Sequence, residues 1–198
     1  MTRKGPDLLD GSLGAFLDRI ASGEPAPGGG AATAASVSMA AALVAMAARL
    51  SLEHMDGAAE LVARAEDLRA RTAPLAQADA EAYTRVLAAN RPLKDLPSER
   101  RAELIGAALS AAADVPLAVA EAAAELGPMA AVLAENGNPN LRGDAVAAAL
   151  LAAAGARSAA VLVAINLGPG DDDGRSAQGK AYASTASTAA ERATATVL

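Results

Sequence analysis

The chain has 198 residues and no cysteine, and its formal charge of −6 argues against a nucleic-acid surface, which needs a basic patch. Without cysteine there are no disulfides, thiolate metal sites or thiol catalysis, and a single histidine cannot form a metal cluster alone. More than half of the residues are apolar but only 2% are aromatic, so the core must be built from small side chains. Helix formers dominate and strand formers are scarce, which predicts a single all-α domain over residues 1–198.

Apolar periodicity, interrupted by glycine and proline, predicts seven helices. They are expected at residues 10–21, 28–52, 56–90, 98–113, 116–135, 144–167 and 175–197, the fifth with a kink or restart at Gly127-Pro128. The first carries Leu13, Phe16, Leu17 and Ile20 on one face. The second has many Ala and Ser positions that suit burial on all sides, and the sixth is mostly Ala, Val and Leu, so it too should be largely buried. We expect both to be long and Ala-rich.

Residues 31–48 are uncharged over a length that raises the question of a membrane span. Most of them are alanine, however, and transfer of such a segment into lipid gains little. Near the N-terminus, Arg3 and Lys4 are followed by Gly-Pro and acidic residues rather than by the apolar stretch of a signal peptide. We therefore expect a cytoplasmic protein with no membrane contact.

The third helix carries an unusual carboxylate. Its apolar stripe runs through Leu61, Leu68, Leu75, Tyr83, Val86 and Leu87. Asp79 lies on the same face, four residues after Leu75 and four before Tyr83. Desolvation raises the pKa of a carboxylic acid, which makes a general acid available near neutral pH. The alternative is a structural Asp79 paired with an arginine or a backbone group.

Two further motifs can bind a ligand. Gly28, Gly29 and Gly30 open the second helix with free N–H groups, where an anion is favoured, although glycines there also let two helices or subunits touch. The polar loop at residues 136–144 separates two apolar helices, and such loops often carry function. Within it, Asp144 is either an N-cap or a group that holds a substrate nitrogen or orients Arg142.

Five motifs in a fixed order resemble the cyclodeaminase/cyclohydrolase family. They are Pro25-Ala26-Pro27-Gly28-Gly29-Gly30, Asp79-Ala80-Glu81-Ala82-Tyr83, Val115-Pro116-Leu117, Gly137-Asn138 with Asp144, and Ile165-Asn166-Leu167. The resemblance covers roughly residues 8 to 167. It implies an all-helical, dimerising bundle that acts on tetrahydrofolate derivatives, either forming the methenyl ring with loss of ammonia or opening it with water. No metal or tightly bound cofactor is needed for this chemistry.

The resemblance also implies roles for particular residues. Asp79 matches the family's proton-donor aspartate, so it is the expected catalytic residue. The expected substrate-binding residues are Gly28, Gly29, Gly30, Tyr83, Lys94, Asn138, Arg142 and Asp144. Lys94 could bind the glutamate tail of folate or tune Asp79, and Arg142 and Asp144 could contact the pterin or the tail carboxylates.

Departures from the family's pattern keep other functions open. Ala31 and Gly143 stand where a serine is common, and the segment from Arg91 to Lys94 is altered. A family relative acting on a non-folate imine or amidine is therefore one alternative. A non-catalytic helical dimer that binds a ligand or partner is the other, because small-residue helices can pack between subunits.

Overall fold

The computed structural model describes residues 7–91, 96–169 and 174–198, and every regular element in these ranges is a helix. The α-helices are α1 (Leu13–Ile20), α2 (Gly29–Arg49), α3 (Ala58–Thr72), α4 (Leu75–Ala89), α5 (Ser98–Asn136), α6 (Arg142–Leu167) and α7 (Arg175–Thr194). A short 3-10 helix, Pro139–Leu141, precedes α6. The predicted all-α fold class is confirmed.

Helices α2 and α6 each pack against three or more other helices. Helix α2 packs against α3, α4, α5 and α6, while α6 packs against α2, α5 and α7. Most of their buried side chains are alanine, valine or serine, so the helix axes can approach closely. The expectation that α2 is buried on all sides is wrong, however, because it leaves one face exposed, with Met39 as an example. Helix α6 also has an exposed face, which includes Val161.

Two contacts show that α2 and α6 run antiparallel. The Thr33 hydroxyl donates a hydrogen bond to the Ser158 hydroxyl at 3.1 Å, and a Cβ added to Gly155 would overlap with Val37. Residue numbers therefore rise along α2 as they fall along α6. This arrangement places the N-terminus of α2 beside the C-terminus of α6.

The predicted third helix, residues 56–90, is in fact two helices. Helix α3 ends at Thr72 and α4 begins at Leu75, with Pro74 at its N-cap. Proline has no amide hydrogen and its ring clashes with the preceding turn, so the hydrogen-bonding pattern of the helix is interrupted there. The break comes before Leu75, so Asp79 and Tyr83 still lie on one helix.

The two helices predicted at residues 98–113 and 116–135 form one continuous helix, α5, which contains Pro116 and Pro128. Each proline removes one backbone hydrogen bond. The helix continues through both because α5 packs along its length against α4, α6 and α7, and this tertiary packing outweighs the local cost. The expected break between residues 113 and 116 and the expected restart at Gly127-Pro128 are therefore wrong.

The first helix contributes less to the core than its apolar face predicts. It is shorter than expected and begins after Ser12, whose hydroxyl accepts a hydrogen bond from the Ala15 amide at 3.1 Å. Of its apolar face only Phe16 is buried, while Leu13 and Leu17 are 62% and 55% exposed.

Within the described ranges, three segments are long and apolar enough to cross a membrane when length and composition alone are considered. They are Gly29–Arg49, Ser98–Asn136 and Pro139–Leu167. In the structure the helices of these segments pack against one another as parts of one bundle. The absence of membrane contact stays a prediction.

The close approach of α2 and α6 leads to a stability prediction. The fully buried, β-branched Val37 cannot rotate away from a methyl group on Gly155, so Gly155→Ala should lower the free energy of unfolding by about 1–3 kcal/mol. The matched control is Gly106→Ala in the exposed part of α5, where an added Cβ meets nothing within 4 Å. This change should raise stability by up to about 1 kcal/mol through helix propensity. Urea unfolding of the two variants measures both effects, and equal stability changes would contradict the close packing.

Candidate active site

A cleft of about 320 Å³ opens where the N-terminus of α2 meets α4, α5 and the C-terminus of α6. The antiparallel packing of α2 and α6 brings these helix ends together. The cleft is lined by Pro25, Ala26, Gly28, Gly29, Gly30, Asp79, Ala82, Tyr83, Ala112, Leu162, Ile165 and Asn166. Of the predicted site residues, the structure therefore brings together the three glycines, Asp79 and Tyr83.

The Asp79 carboxylate is held against the first turn of α2. It accepts a hydrogen bond from the Ala31 amide, one of the N–H groups that the first turn of a helix leaves without an intrahelical partner. A Cβ on Gly30 would overlap with all three atoms of this carboxyl group. Only glycine at position 30 therefore leaves the space that Asp79 occupies.

Two opposing effects act on the pKa of Asp79. Burial raises its pKa, because a carboxylate loses hydration in the cleft, and the Ala31 hydrogen bond lowers it by stabilising the charged form. Burial is the larger effect, so the pKa of Asp79 lies above the ordinary value for aspartate. The result is a carboxyl group that holds its proton at higher pH than an exposed aspartate does.

The rest of the cleft is mostly apolar. Ala82, Ala112 and Leu162 contribute apolar side chains, and Tyr83 lines the cleft with 44% of its surface exposed. Asn166, at the end of α6, supplies a carboxamide. Such a cleft suits a largely apolar ligand with a few polar groups that meet the carboxyl group and the hydrogen-bonding groups of the lining.

The polar loop lies at the other end of α2. The Asn138 carboxamide donates to the Leu50 carbonyl at 3.0 Å, and the Asn138 amide donates to the Ser51 hydroxyl at 2.9 Å. Because α2 has 21 residues, this end is about 30 Å from the cleft. Within one chain, Asn138, Arg142 and Asp144 therefore do not line the cleft that contains Asp79.

Local contacts explain how these loop residues are held. The Asn138 side chain also accepts a hydrogen bond from the Asn140 amide at 3.0 Å, and the Arg142 guanidinium donates to the Ala134 carbonyl at 3.2 Å. Asp144 lies in the first turn of α6 and not at its N-cap, which is Leu141. The N-cap alternative for Asp144 is therefore wrong.

Lys94 and Asn166 are the other two residues that bear on the predicted site. Lys94, predicted to bind substrate, lies outside the described residues. Asn166 lines the cleft, although the sequence analysis did not include it among the expected substrate-binding residues. The signal that could have identified it is a lone carboxamide at the end of an apolar helix, within a motif that the resemblance had already singled out.

The known proteins that this chain resembles match it over most of its length. The formiminotransferase-cyclodeaminase family matches residues 12–185. A methenyltetrahydrofolate cyclohydrolase of Methylorubrum extorquens is 39% identical over 165 residues, which cover 79% of this chain and 79% of that protein. The formimidoyltransferase-cyclodeaminase of Sus scrofa is 36% identical over 88% of this chain, and this chain spans only 34% of the length of the pig protein.

A solved structure shares the fold. The formiminotetrahydrofolate cyclodeaminase of Thermotoga maritima superimposes with a TM-score of 0.82 at 28% sequence identity, covering 94% of this chain and 95% of that one. The helical bundle and the sequence matches lead to the same conclusion. This chain belongs to the formiminotransferase-cyclodeaminase family.

Proposed function

We propose that this chain is a folate enzyme that acts on the single carbon between N5 and N10 of tetrahydrofolate, with Asp79 as its general acid and base. The observation that carries the proposal is a carboxyl group of raised pKa, held in a mostly apolar cleft against the first turn of α2. Relatives named for methenyltetrahydrofolate and formiminotetrahydrofolate support the substrate class.

We propose ring opening of methenyltetrahydrofolate as the reaction. Water adds to the amidinium carbon and the Asp79 carboxylate takes its proton, which gives a neutral tetrahedral carbon. The bond from this carbon to N5 then breaks as Asp79 returns the proton to N5. The hydroxyl loses its proton to solvent as the carbonyl forms, so the formyl group stays on N10 and one proton is released overall.

Cyclodeamination is the second candidate, favoured by the structural match to the cyclodeaminase of Thermotoga maritima. In that reaction N10 attacks the formimidoyl carbon, and Asp79 transfers the N10 proton to the amine that leaves as ammonia. Both reactions pass through a tetrahedral carbon and need one positioned proton carrier. The higher identity to the cyclohydrolase, over most of both chains, favours ring opening as the main activity.

Further elements of the proposal follow from the same family membership. We expect a homodimer, because exposed apolar side chains such as Leu150, Val161 and Ile165 line one face of α6. We also expect activity without a tightly bound cofactor, and a cytoplasmic location stays a prediction from the sequence.

The first experiment compares wild type with Asp79→Asn on both substrates. The fall in methenyltetrahydrofolate absorbance measures ring opening, and ammonia release from formimidoyltetrahydrofolate measures cyclodeamination. Because a positioned general acid or base contributes about 100-fold or more, Asp79→Asn should lower kcat by at least that factor. A variant as fast as wild type would disprove the role of Asp79, and a wild type inactive on both folates would disprove the substrate class.

A second prediction concerns Gly30. Because a side chain at position 30 must displace the Asp79 carboxyl, Gly30→Ala should lower kcat/KM by about tenfold or more. In the Asp79→Asn background the same change should have little further effect, since the group it displaces is already inactive. Steady-state kinetics of the four proteins make the test. Independent, multiplicative losses would mean that Gly30 acts through something other than Asp79.

A third prediction concerns stability and pH. Because the pKa of Asp79 is raised in the folded state, the folded chain binds this proton more tightly than the unfolded chain. The free energy of unfolding therefore falls as pH rises from the ordinary aspartate pKa through the raised value. The Asp79→Asn variant has no carboxyl group at this position and so does not lose stability in this way. The difference obtained by subtracting the Tm of wild type from the Tm of the variant should therefore be larger at about pH 8 than at about pH 4. Thermal unfolding across this range that gave a constant difference would contradict the raised pKa.

A further inference from the structure

Asn166 differs from the other half-buried carboxamides of the chain. Gln77 donates a hydrogen bond to Glu81 at 3.0 Å, and Asn138 donates to the Leu50 carbonyl at 3.0 Å. The Asn166 side chain is half-buried as well, yet within the described residues it makes no hydrogen bond. Its oxygen and its amino group are therefore both free to bind a ligand or a water molecule.

Helix stability does not explain a polar side chain at position 166. Asn166 lies in the last turn of α6 between the apolar Ile165 and Leu167, and it is not the C-cap, which is Gly168. Asparagine is a weaker helix former than leucine, and a partly desolvated amide without a partner costs free energy. A residue that lowers stability in this way indicates a role in function.

Asn166 lines the same cleft as Asp79. The volume of this cleft, about 320 Å³, is at the lower end for ligand pockets, so the groups that line it lie close to one bound ring. Among the described residues that line it, only Asp79, Tyr83 and Asn166 have polar side chains. Because Tyr83 is exposed and Asn166 is half-buried, Asn166 is the more sheltered partner for chemistry at Asp79.

Ring opening requires the attacking water to be held in one orientation. One O–H bond must point at the Asp79 carboxylate, which takes that proton, while a lone pair points at the amidinium carbon. The second O–H bond then needs an acceptor, because that contact removes the rotation left to the water. A carboxamide oxygen accepts such a hydrogen bond but does not take the proton, so Asp79 remains the proton carrier.

We propose that the Asn166 carboxamide oxygen accepts a hydrogen bond from the attacking water and so makes the cleft selective for ring opening over cyclodeamination. This inference rests on the proposed function. The same contact holds the new hydroxyl group once the water has added to the carbon and Asp79 has taken its proton. Cyclodeamination gains less from it, because the attacking N10 is already part of the substrate and no free molecule has to be positioned.

Asn166→Leu tests this role, because leucine is similar in size and has no hydrogen-bonding group. The kcat of ring opening should fall at least about tenfold with little change in KM, since the contact acts on the water and not on the folate. Cyclodeamination should fall less than about threefold. Asn166→Asp keeps an acceptor oxygen at this position, so its ring opening should stay well above that of Asn166→Leu.

Thermal unfolding separates this role from a structural one without any substrate. Asn166→Leu should raise the Tm by about 1–4 °C, because it removes an unpaired amide and adds a better helix former. The matched control is Asn90→Leu, since Asn90 is an exposed carboxamide that follows α4 and does not line the cleft. Its rate of ring opening should equal that of wild type.

Several results would overturn the inference and leave the proposed function in place. They are ring opening by Asn166→Leu as fast as by wild type, an equal loss of both reactions, a raised KM with unchanged kcat, a lowered Tm, or a wild type that catalyses cyclodeamination alone. A raised KM would mean that Asn166 binds the folate ring instead. A wild type inactive on both folates would overturn the proposed function as well, so the wild-type assay distinguishes the two failures.

Discussion

The close packing of α2 against α6 is the constraint on which the rest of the structure depends. Gly155 and the small residues around it let Val37 lie directly against α6, and the Thr33–Ser158 hydrogen bond fixes the two helices in an antiparallel register. This register brings one N-terminus and one C-terminus to the same end of the bundle. The cleft forms there because helix ends leave both space and free backbone groups that a helix middle does not.

The environment of Asp79 keeps its pKa between two extremes that would each prevent proton transfer. Complete burial without a partner would keep the carboxyl protonated and unable to take a proton, whereas several hydrogen bonds to the charged form would keep it ionised. One amide from Ala31 and partial burial place Asp79 between these limits, and burial has the larger effect. Gly30 leaves the space that the Asp79 carboxyl group occupies. The first turn of α2 therefore affects the pKa of Asp79 through a backbone amide and not through a side chain.

The sequence predicts the fold class correctly, and it places Asp79 and Tyr83 on one helix, both for physical reasons. Composition excludes strands, and the spacing of Leu75, Asp79 and Tyr83 survives the break at Pro74 because all three lie beyond it. Which prolines break a helix does not follow from local rules, since Pro116 and Pro128 are held inside α5 by neighbours distant in sequence. Distances between residues on different helices also do not follow from the sequence. The glycine run and the polar loop are both breaks beside apolar helices, yet they lie at opposite ends of α2.

The mutual exclusion between a side chain at position 30 and the carboxyl group at position 79 links two sites far apart in sequence. Any relative that keeps this backbone can retain the aspartate in its present seat only if it also retains the glycine. A family member with a larger residue at the matching position must have moved or lost its acid. Reading these two positions together therefore separates relatives able to carry a proton in this cleft from those that have kept only the scaffold.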